Sequence, residues 1–369
     1  MGKMMRALGL MSGTSMDGID VALIDTDGSD AAQRGPSATY PYTEALRRRL
    51  RAGISAAVEL KDRQDRPGSL GALELELTDL HAQAVQSFLQ QTEVAQAAVA
   101  VIGFHGHTVL HAPERRLTVQ LGCGARLARA TRIDVVHDLR AADVAAGGQG
   151  APLAPAYHAA LMARQAKPVV IVNIGGVANV TWIGPSGALL AFDTGPGNAM
   201  IDDWTRRRQG LPCDADGRLA AAGRVRADFV TEYLRHSYFG LPPPKSLDRN
   251  AFAPELVDGL SDADGAATLT AFTVESIARA REHFPEQPRL WVVAGGGRRN
   301  KTLMAMLAGR VEAAVAPAEA AGVDGDALEA EAWAYLAVRS SKGLPITFPG
   351  TTGVQLPLTG GVLSPGTAR

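Results

Sequence analysis

The chain is poor in the features that mark disulfide-rich, zinc-binding and nucleic-acid-binding proteins. Its two cysteines, Cys123 and Cys213, lie far apart and in no CxxC or Cys/His spacing, so a disulfide framework or a zinc site has no support and a reducing, cytoplasmic setting is expected. The 37 Lys and Arg residues nearly balance the 38 Asp and Glu residues, which removes the positive field that nucleic acids and anionic membranes require. We therefore expect a small molecule as the partner, and a homodimer is left open.

Long apolar runs are also missing. The short basic start of the chain leads to Gly9, Ser12 and Asp17 instead of the continuous apolar region of a signal peptide. No stretch of about 20 apolar residues follows that would span a bilayer. The sequence therefore predicts neither secretion nor membrane insertion.

Length and periodicity predict an α/β protein of two domains. A chain of 369 residues exceeds the roughly 100 to 200 residues typical of one domain. We place the boundary at Leu139, which gives domains 1–138 and 139–369. Short apolar segments alternate with helix-like stretches, as in α/β folds. The predicted strands are 7–10, 99–103, 117–121, 133–136, 169–172, 189–192 and 290–293, and the predicted helices are 73–91, 199–208, 268–284, 300–307 and 327–339.

One supersecondary unit occurs twice in the sequence. Residues 8–24 and 171–183 each read as an apolar strand, a small polar turn (SGTSMDG or NIGGVAN) and a second apolar strand. A hairpin repeated halfway along the chain predicts two related α/β domains that face each other, with both turns opening on a shared central cleft.

The first turn has the residues that phosphate oxygens need. Glycines allow close approach to backbone N–H groups, and Ser and Thr hydroxyls donate further hydrogen bonds. Asp17 would repel a triphosphate unless a cation lay between them, so we predict Mg²⁺ held through water by Asp17 or Asp20. An ordinary hairpin turn is the alternative, because neither a P-loop nor a GxGxxG fingerprint is present. The turn consists of Ser12, Gly13, Thr14, Ser15, Met16, Asp17 and Gly18.

Two further glycine-rich segments extend this pattern. The second hairpin turn includes Asn173, Gly175 and Gly176, and with the first turn it would form a clamp around a phosphate chain; a plain tight hairpin is the alternative. The third segment follows the strand 290–293 and offers a flat backbone surface for a purine or a ribose, or else a simple strand-to-helix turn. Its residues are Gly295, Gly296, Gly297 and Asn300.

Asp193 is the candidate catalytic carboxylate. It follows an apolar strand and precedes a helix, which is where α/β proteins build their sites, and such a carboxylate can act as a general base. A turn or helix-capping role is the alternative, although Asn198 is better placed to cap a helix that starts at Ala199. We expect Thr194, Gly195 and Asn198 to contact the substrate beside it.

Two segments of the first half are candidates for binding the acceptor. His105 and His107 in HGHT have no acidic partner at ligand spacing, so sugar contacts or a core role are favoured over a metal site. Arg140, Asp143 and Gln149 lie on a Gly-rich loop, which suits a carboxylated, hydroxyl-rich ligand or an interdomain hinge.

The order of motifs in the chain is similar to that of a known family. The segments MSGTSMDGID, HGHT, GGQGAPL, NIGGVANVT, FDTGPGN, AGGGRRN and EAEAWAYLA resemble those of the anhydro-N-acetylmuramic acid kinases, within the sugar kinase, Hsp70 and actin superfamily. The resemblance runs from Leu8 to about Leu336 and implies two actin-like (ribonuclease H-like) domains, each a mixed sheet with helices.

The resemblance also implies an activity. In cell-wall recycling, such enzymes use ATP and Mg²⁺ to cleave the internal ether of 1,6-anhydro-N-acetylmuramic acid and phosphorylate the freed O6. By this resemblance Asp193 is the base that deprotonates the attacking water, and Gly13 through Ile19 and Asp20 form the ATP-phosphate segment. Glu329 matches a second acidic position near the substrate.

The sequence also departs from the family. The family usually has Gln at the position of His107, and the segment 358–363 is compressed relative to its usual tail. A kinase of the same fold for another amino sugar or carboxylate is the nearest alternative. A nucleotide-dependent regulatory protein is a second, but it would have little use for a base at Asp193.

Overall fold

The computed structural model describes residues 2–13, 16–248, 251–252 and 254–367. Twelve strands were assigned among these residues: β1 Met5–Ser12, β2 Gly18–Thr26, β3 Ala32–Pro41, β4 Val101–Ala112, β5 Leu117–Leu121, β6 Asp134–His137, β7 Val169–Ile174, β8 Val177–Ile183, β9 Leu189–Pro196, β10 Leu290–Ala294, β11 Ala314–Pro317 and β12 Val362–Ser364. All seven predicted strands are confirmed, most with longer bounds.

Twelve α-helices were assigned in the same ranges: α1 Glu44–Ala57, α2 Leu70–Gln91, α3 Gly124–Thr131, α4 Ala141–Ala145, α5 Pro155–Leu161, α6 Ala199–Gln209, α7 Arg218–Ala221, α8 Ala227–Tyr233, α9 Asp262–Ala278, α10 Lys301–Arg310, α11 Leu328–Ser341 and α12 Pro349–Thr352. The five predicted helices correspond to α2, α6, α9, α10 and α11. The third of them starts six residues earlier than predicted, because Ser261 caps α9 by accepting the N–H of Asp264. In the described chain no helix is long and apolar enough to cross a lipid bilayer.

The contacts divide the chain into two compact units. The first unit is Met1–Ala163 together with Ala327–Arg369, and the second is Arg164–Asp326. This division differs from the expected boundary at Leu139. The physical reason is that α4 and α5 stay with the first unit, where the Tyr157 hydroxyl of α5 donates to the buried Glu331 carboxylate of α11 at 2.8 Å.

Each unit has its own sheet, and the two sheets share an arrangement of five strands. In the first, the strand order is β12-β6-β4-β1-β2-β3, with β5 added to β4, and in the second it is β11-β10-β7-β8-β9. In each unit three antiparallel strands are followed by two that run parallel to the first, namely β1 with β4 and β6, and β7 with β10 and β11. The mixed α/β architecture and the repeated hairpin, β1-β2 and β7-β8, are therefore confirmed.

Each unit has its own apolar core. In the first unit, helix α2 packs on the sheet through Leu73, Leu77 and Phe88. In the second, α6 and α9 cover β7 to β9 and bury Trp204 and Phe272 completely. The central strands, such as β1, β2, β4, β7, β8 and β10, are mostly buried, whereas β3 and β11 are largely exposed. The polar turns at the ends of the central strands are therefore the candidate sites for chemistry.

Candidate functional site

The first hairpin turn lies between β1 and β2. Gly13 accepts the N–H of Met16 at 3.0 Å, and Met16 adopts a left-handed conformation with φ of 60°. The Asp17 side chain is exposed and its carbonyl accepts the N–H of Tyr42 at 3.0 Å. Thr14 and Ser15, which we expect to bind phosphate, lie outside the described residues.

The end of the predicted phosphate segment is part of the sheet. Gly18 and Ile19 belong to β2 and pair with β3, and the Ile19 side chain is buried in the core, so its contact with a nucleotide is limited to backbone atoms. Asp20 accepts a hydrogen bond at 2.6 Å from the Thr39 hydroxyl on β3. No group of three or more His, Cys, Asp or Glu side chains in the described ranges is arranged to hold a metal ion.

The second turn, between β7 and β8, is held by the start of α6. Asn198 donates from its backbone to Gly175 O at 2.7 Å and from its side chain to Ile174 O at 3.0 Å, and the Gly197 N–H donates to Gly176 O at 2.9 Å. Asn198 immediately precedes α6 but makes no side-chain capping bond there. Its side-chain amide therefore holds the turn instead of capping the helix. Three carbonyl groups of the turn are thereby used inside the protein.

The third glycine-rich segment lies against the second turn. Gly295 has φ of +72°, and a Cβ atom there would stand 2.4 Å from the Asn173 side-chain oxygen. Gly296 and Gly297 begin a short 3₁₀ turn, and Asn300 caps α10 by accepting the Leu303 N–H at 2.9 Å. The structure therefore brings the segments 173–176, 197–198 and 295–297 together within the second unit, while the Asn300 side-chain oxygen is already engaged in a cap.

Asp193 lies in β9 opposite Asn179 of β8. One oxygen of its carboxylate accepts the Leu247 N–H at 2.8 Å. Burial raises the pKa of the Asp193 carboxyl to about 7, and the bond from Leu247 opposes that rise only in part. A carboxyl group with this pKa is divided between its acid and base forms at neutral pH, as a general base should be.

A segment that the sequence did not single out covers Asp193. The Asp193 backbone donates to Lys245 O at 3.0 Å and accepts the Tyr238 hydroxyl at 2.5 Å, in addition to the bond from Leu247. Residues 238–247 contain LPPPK, which reads as an irregular linker, and nothing in the sequence indicates which strand it crosses. Only a long-range contact could have revealed this role.

Two neighbours of Asp193 point into the interior. Thr194 is buried and its hydroxyl donates to Ala178 O at 3.1 Å. A Cβ atom on Gly195 would lie 2.6 Å from the Ser276 hydroxyl oxygen of α9. We expected both to contact the substrate, but in this structure their side-chain positions face the protein core.

A polar cluster in the first unit joins His105 and Arg140. The Arg140 guanidinium donates to His105 Nε2 from Nε and Nη2, at 3.3 and 3.2 Å, and from Nη1 to Gly150 O at 2.8 Å. Both side chains lie on Trp333 of α11: the His105 ring centroid is 4.5 Å from that of Trp333, and Arg140 Cζ is 5.0 Å from it. The Trp333 ring thus packs against both side chains and supports the cluster.

The cluster stays positively charged at neutral pH. Burial lowers the pKa of Arg140 to about 10, and the carboxylates of Glu329 and Asp143 oppose the drop. Because Arg140 donates to Nε2, the His105 proton is on Nδ1, which is buried inside the protein. A cavity of about 220 Å³ adjoins His105. Glu329 is exposed in the first turn of α11, so the expected sugar-side residues His105, Arg140 and Glu329 are gathered in one place.

Asp143 has a structural role that was not expected. One carboxylate oxygen accepts the Gly150 N–H at 2.6 Å and the other accepts the Thr352 hydroxyl at 2.6 Å, and the side chain is buried. The Gln149 backbone donates to Thr352 O at 2.7 Å. Asp143 therefore fixes the loop whose Gly150 carbonyl holds Arg140, and neither of its oxygens is left for a ligand.

His107 is completely buried on β4. Its Nδ1 atom lies 2.8 Å from the Ser12 hydroxyl, which also contacts the Tyr42 hydroxyl at 2.7 Å. Burial lowers the pKa of His107 to about 4. Of the two roles considered for this residue, the structure places it in the core and gives it no exposed atom for a sugar.

Comparisons with known proteins identify the family. The family described as Anhydro-N-acetylmuramic acid kinase matches residues 5–366. The chain is 54% identical over 364 residues to the anhydro-N-acetylmuramic acid kinase of Rhodospirillum rubrum, covering 97% of this chain and 94% of the relative, and 52% identical to that of Nitrobacter winogradskyi, covering 98% and 100%.

Solved structures are similar at much lower identity. The Acidaminococcus fermentans (R)-2-hydroxyglutaryl-CoA dehydratase component A has a TM-score of 0.48 at 11% identity, with 92% of this chain and 99% of that chain covered. A ROK family glucokinase from Streptomyces griseus in complex with glucose and AMPPNP has a TM-score of 0.41 at 13% identity, with 91% and 99% covered. With a family match over nearly the whole sequence and relatives above 50% identity, the chain belongs to the anhydro-N-acetylmuramic acid kinases.

Proposed function

We propose that this sugar kinase opens the anhydro ring of 1,6-anhydro-N-acetylmuramic acid and transfers the γ-phosphoryl group of ATP to O6, giving N-acetylmuramic acid 6-phosphate in the cytoplasm. The observation that carries the proposal is the Asp193 carboxyl, whose pKa burial raises to about 7 and which accepts the Leu247 N–H. The names of the relatives supply the substrate.

Asp193 acts as the base in this proposal. It takes a proton from a water molecule as the water oxygen bonds to C1 of the sugar, and the C1–O6 bond breaks with its electron pair moving to O6. O6 then bonds to the γ-phosphorus in line and ADP leaves. By one route the O6 anion bonds to phosphorus directly and Asp193 later releases its proton to solvent; by the other the proton passes to O6 and returns to Asp193 as O6 bonds to phosphorus, before its release.

The hairpin turns would hold the ATP. The turns after β1 and β7 would offer backbone N–H groups to the phosphate oxygens, and the glycine-rich segment 295–297, which packs closely on Asn173 and Ile174 of the second turn, would face the adenosine. Mg²⁺ would be held through water by Asp17 or Asp20, where it would neutralise charge on the phosphates. Asp17 fits better, because it is exposed while one oxygen of Asp20 already accepts the Thr39 hydroxyl.

The His105 and Arg140 cluster would recognise the sugar. Arg140 remains protonated, and a muramic acid carries a lactyl carboxylate that a guanidinium binds well. His105, whose Nε2 accepts from Arg140, would hold the guanidinium in place for that carboxylate. Glu329 would accept from a sugar hydroxyl beside them.

An ADP-release assay tests the proposal directly. With ATP and Mg²⁺, 1,6-anhydro-N-acetylmuramic acid should give rapid ADP release and N-acetylglucosamine should give little. In ¹⁸O-labelled water the label should appear at C1 of the product sugar. Label in the phosphate would refute the proposed attack, and ADP release without any sugar would favour the regulatory alternative.

A further inference from the structure

Asp193 lies on the outer strand of its sheet. The strand order β11-β10-β7-β8-β9 places β9 at one edge, and Asp193 pairs with Asn179 of β8 on the inner side. Among the strands of the described chain, β8 alone pairs with β9, so the outer backbone groups of β9 have no strand to bond. Residues 238–247, which we call the strap, occupy this outer side at Asp193.

Both backbone groups of Asp193 are bonded to the strap. The Asp193 N–H donates to Lys245 O at 3.0 Å, and the Tyr238 hydroxyl donates to Asp193 O at 2.5 Å. Lys245 also joins the two ends of the strap, because its Nζ donates to Tyr238 O at 3.3 Å and lies 4.8 Å from the centre of the Tyr238 ring. The strap is therefore fixed at both ends to a single strand residue.

A third hydrogen bond reaches the side chain of Asp193. The Leu247 N–H donates to Oδ2 at 2.8 Å. The two backbone bonds are sufficient to cover the sheet edge, so the third bond has a different effect: it fixes the orientation of the carboxylate. Within the described ranges no hydrogen bond reaches Oδ1, and this oxygen is therefore the one able to take a proton.

We propose that the strap positions the catalytic base: Tyr238 and Lys245 hold the strap on the Asp193 backbone, and the Leu247 N–H holds Oδ2 so that Oδ1 takes the proton. The inference rests on the proposed function, because that function makes Asp193 the base. It adds three positioning residues, which need not touch the sugar or ATP. A positioning role predicts a loss of kcat without a loss of substrate binding.

Two substitutions of Leu247 separate its N–H from its side chain. The N–H stabilises the charged form of Asp193, so Leu247→Pro should raise the pKa of the carboxyl and move the midpoint of the kcat/KM profile upward by about half to one pH unit. Leu247→Ala retains the N–H and should leave the midpoint unchanged. ADP release between pH 5.5 and 9 measures both. An equal midpoint in the two variants, or a lower one with proline, would overturn the inference.

The kinetics of a tyrosine variant test the other end of the strap. Tyr238→Phe removes the donor to Asp193 O, so kcat should fall about tenfold while the KM values for ATP and the sugar change less than about twofold. Tyr233→Phe removes the hydroxyl of another buried tyrosine of the same unit and should leave kcat unchanged. Wild-type kcat in Tyr238→Phe, or raised KM values with kcat retained, would contradict positioning.

Lys245 is tested by a pair of variants. Lys245→Met removes the ammonium group that joins the ends of the strap and should lower kcat about fivefold. Lys245→Arg keeps the charge and a donor and should restore kcat to within about 1.5-fold of wild type. If the Arg variant were as impaired as the Met variant, Lys245 would not be a positioning residue.

Carboxyl NMR tests the bond to Oδ2 without any substrate. In full-length protein labelled with ¹³C at the aspartate carboxyls, the Asp193 signal is the one that Asp193→Asn removes. Its titration should have a midpoint near pH 7 in the wild type, a higher one in Leu247→Pro and the wild-type value in Leu247→Ala. A midpoint that Leu247→Pro leaves unchanged would refute the role of the N–H.

The outcomes separate this inference from the proposed function. If Asp193 titrates as expected but no sugar-dependent ADP is released, the proposed function is wrong and the contacts of the strap with Asp193 stand. If ADP release depends on the sugar but Tyr238→Phe and Leu247→Pro both match the wild type, the function stands and the strap does not position the base. Should Leu247→Pro fail to fold, Tyr238→Phe decides through the split between kcat and KM.

Discussion

Two aspartates, the buried Asp143 and the partly buried Asp193, differ in how their carboxylate oxygens are bonded. Asp143 uses both oxygens, one for the Gly150 N–H and one for the Thr352 hydroxyl. Among the residues that the structure describes, only the Leu247 N–H donates to the Asp193 carboxylate, and burial raises its pKa to about 7. A carboxylate whose oxygens are fully bonded is held for structure, whereas one that is desolvated and only partly bonded remains able to take a proton. The hydrogen bonds therefore distinguish the proposed base, Asp193, from the structural carboxylate, Asp143.

The rate should depend on the ionisation of Asp193. Only the carboxylate form accepts a proton, so kcat/KM should rise about tenfold per pH unit below the pKa of about 7 and level off above it. Asp193→Asn keeps an oxygen that can accept from Leu247 but removes the base, and should lower kcat by roughly 10²- to 10⁴-fold. The check is ADP release with saturating sugar between pH 5.5 and 9.

The matched control is Asp228→Asn. Asp228 is an exposed carboxylate of the same unit that pairs locally with Arg226 at 2.8 Å, so its loss should leave both the rate and the pH profile unchanged. ATP affinity should survive in Asp193→Asn. Wild-type turnover in that variant would show that another group is the base.

Sequence reasoning found these side chains more readily than their partners. The position of Asp193 after an apolar segment predicts either a general base or a turn or capping residue, and the resemblance to the kinases favours the base; the structure places it within β9. The structural role of Asp143 was not predicted, because its bonds come from Gly150 and Thr352, and Thr352 is far away along the chain. The same holds for residues 238–247, whose contact with Asp193 depends on the tertiary fold.

At the scale of elements, α11 is positioned by two glycines in the sheet. Gly9 of β1 and Gly103 of β4 are paired across adjacent parallel strands. A Cβ atom on Gly9 would lie 1.8 Å from Ala330 O, and one on Gly103 would lie 1.9 Å from Trp333 O. The backbone of α11 therefore packs directly on the sheet. This contact fixes the positions of Trp333 and Glu329 relative to Arg140.

Substituting one of these glycines should displace the helix. Gly103→Ala places a methyl group on the α11 backbone, so we expect the melting temperature to fall by several degrees, at about 2–4 °C per kcal/mol for a chain of this size. Because α11 carries Trp333, the KM for the sugar should rise more than that for ATP. Thermal unfolding and the two KM values are the measurements.

Gly309→Ala is the control for this substitution. Gly309 lies in α10, and a Cβ atom there would have no neighbour within 4 Å, so the change should be neutral or stabilise by about 0.5–1 kcal/mol. If Gly103→Ala proved as stable as wild type, the close contact of α11 with the sheet would be wrong.

The elements themselves were largely predictable. Periodicity and turn residues predict the two hairpins and five of the helices, since those signals are local, but the 14-residue α1 was missed. The pairing of Gly9 with Gly103 was not predicted, because a glycine inside a strand indicates close approach without saying which element approaches. The return of α11 to the first unit was not predicted either, because it depends on contacts between the two ends of the chain.

At the scale of the whole molecule, the chain is one α/β unit with a second inserted into it. The second unit is continuous, Arg164–Asp326, and has a separate core and a complete five-stranded sheet. The first unit is built from both ends of the chain, and its β1 and β4 are covered by α11 from the far end. The two units repeat the same strand order but differ in whether their sequence is contiguous.

This difference predicts opposite behaviour for two fragments. Residues 164–326 should fold alone and unfold cooperatively on heating, because every strand and helix of that unit is present. Residues 1–326 lack α11 and would expose the glycine-paired surface of β1 and β4, so their first unit should not show a cooperative transition. Circular dichroism and calorimetry, with the full chain as the control, measure both. A fragment 1–326 with two cooperative transitions would contradict the role of α11, since the sheet would then be stable without the helix that its glycines are shaped to receive.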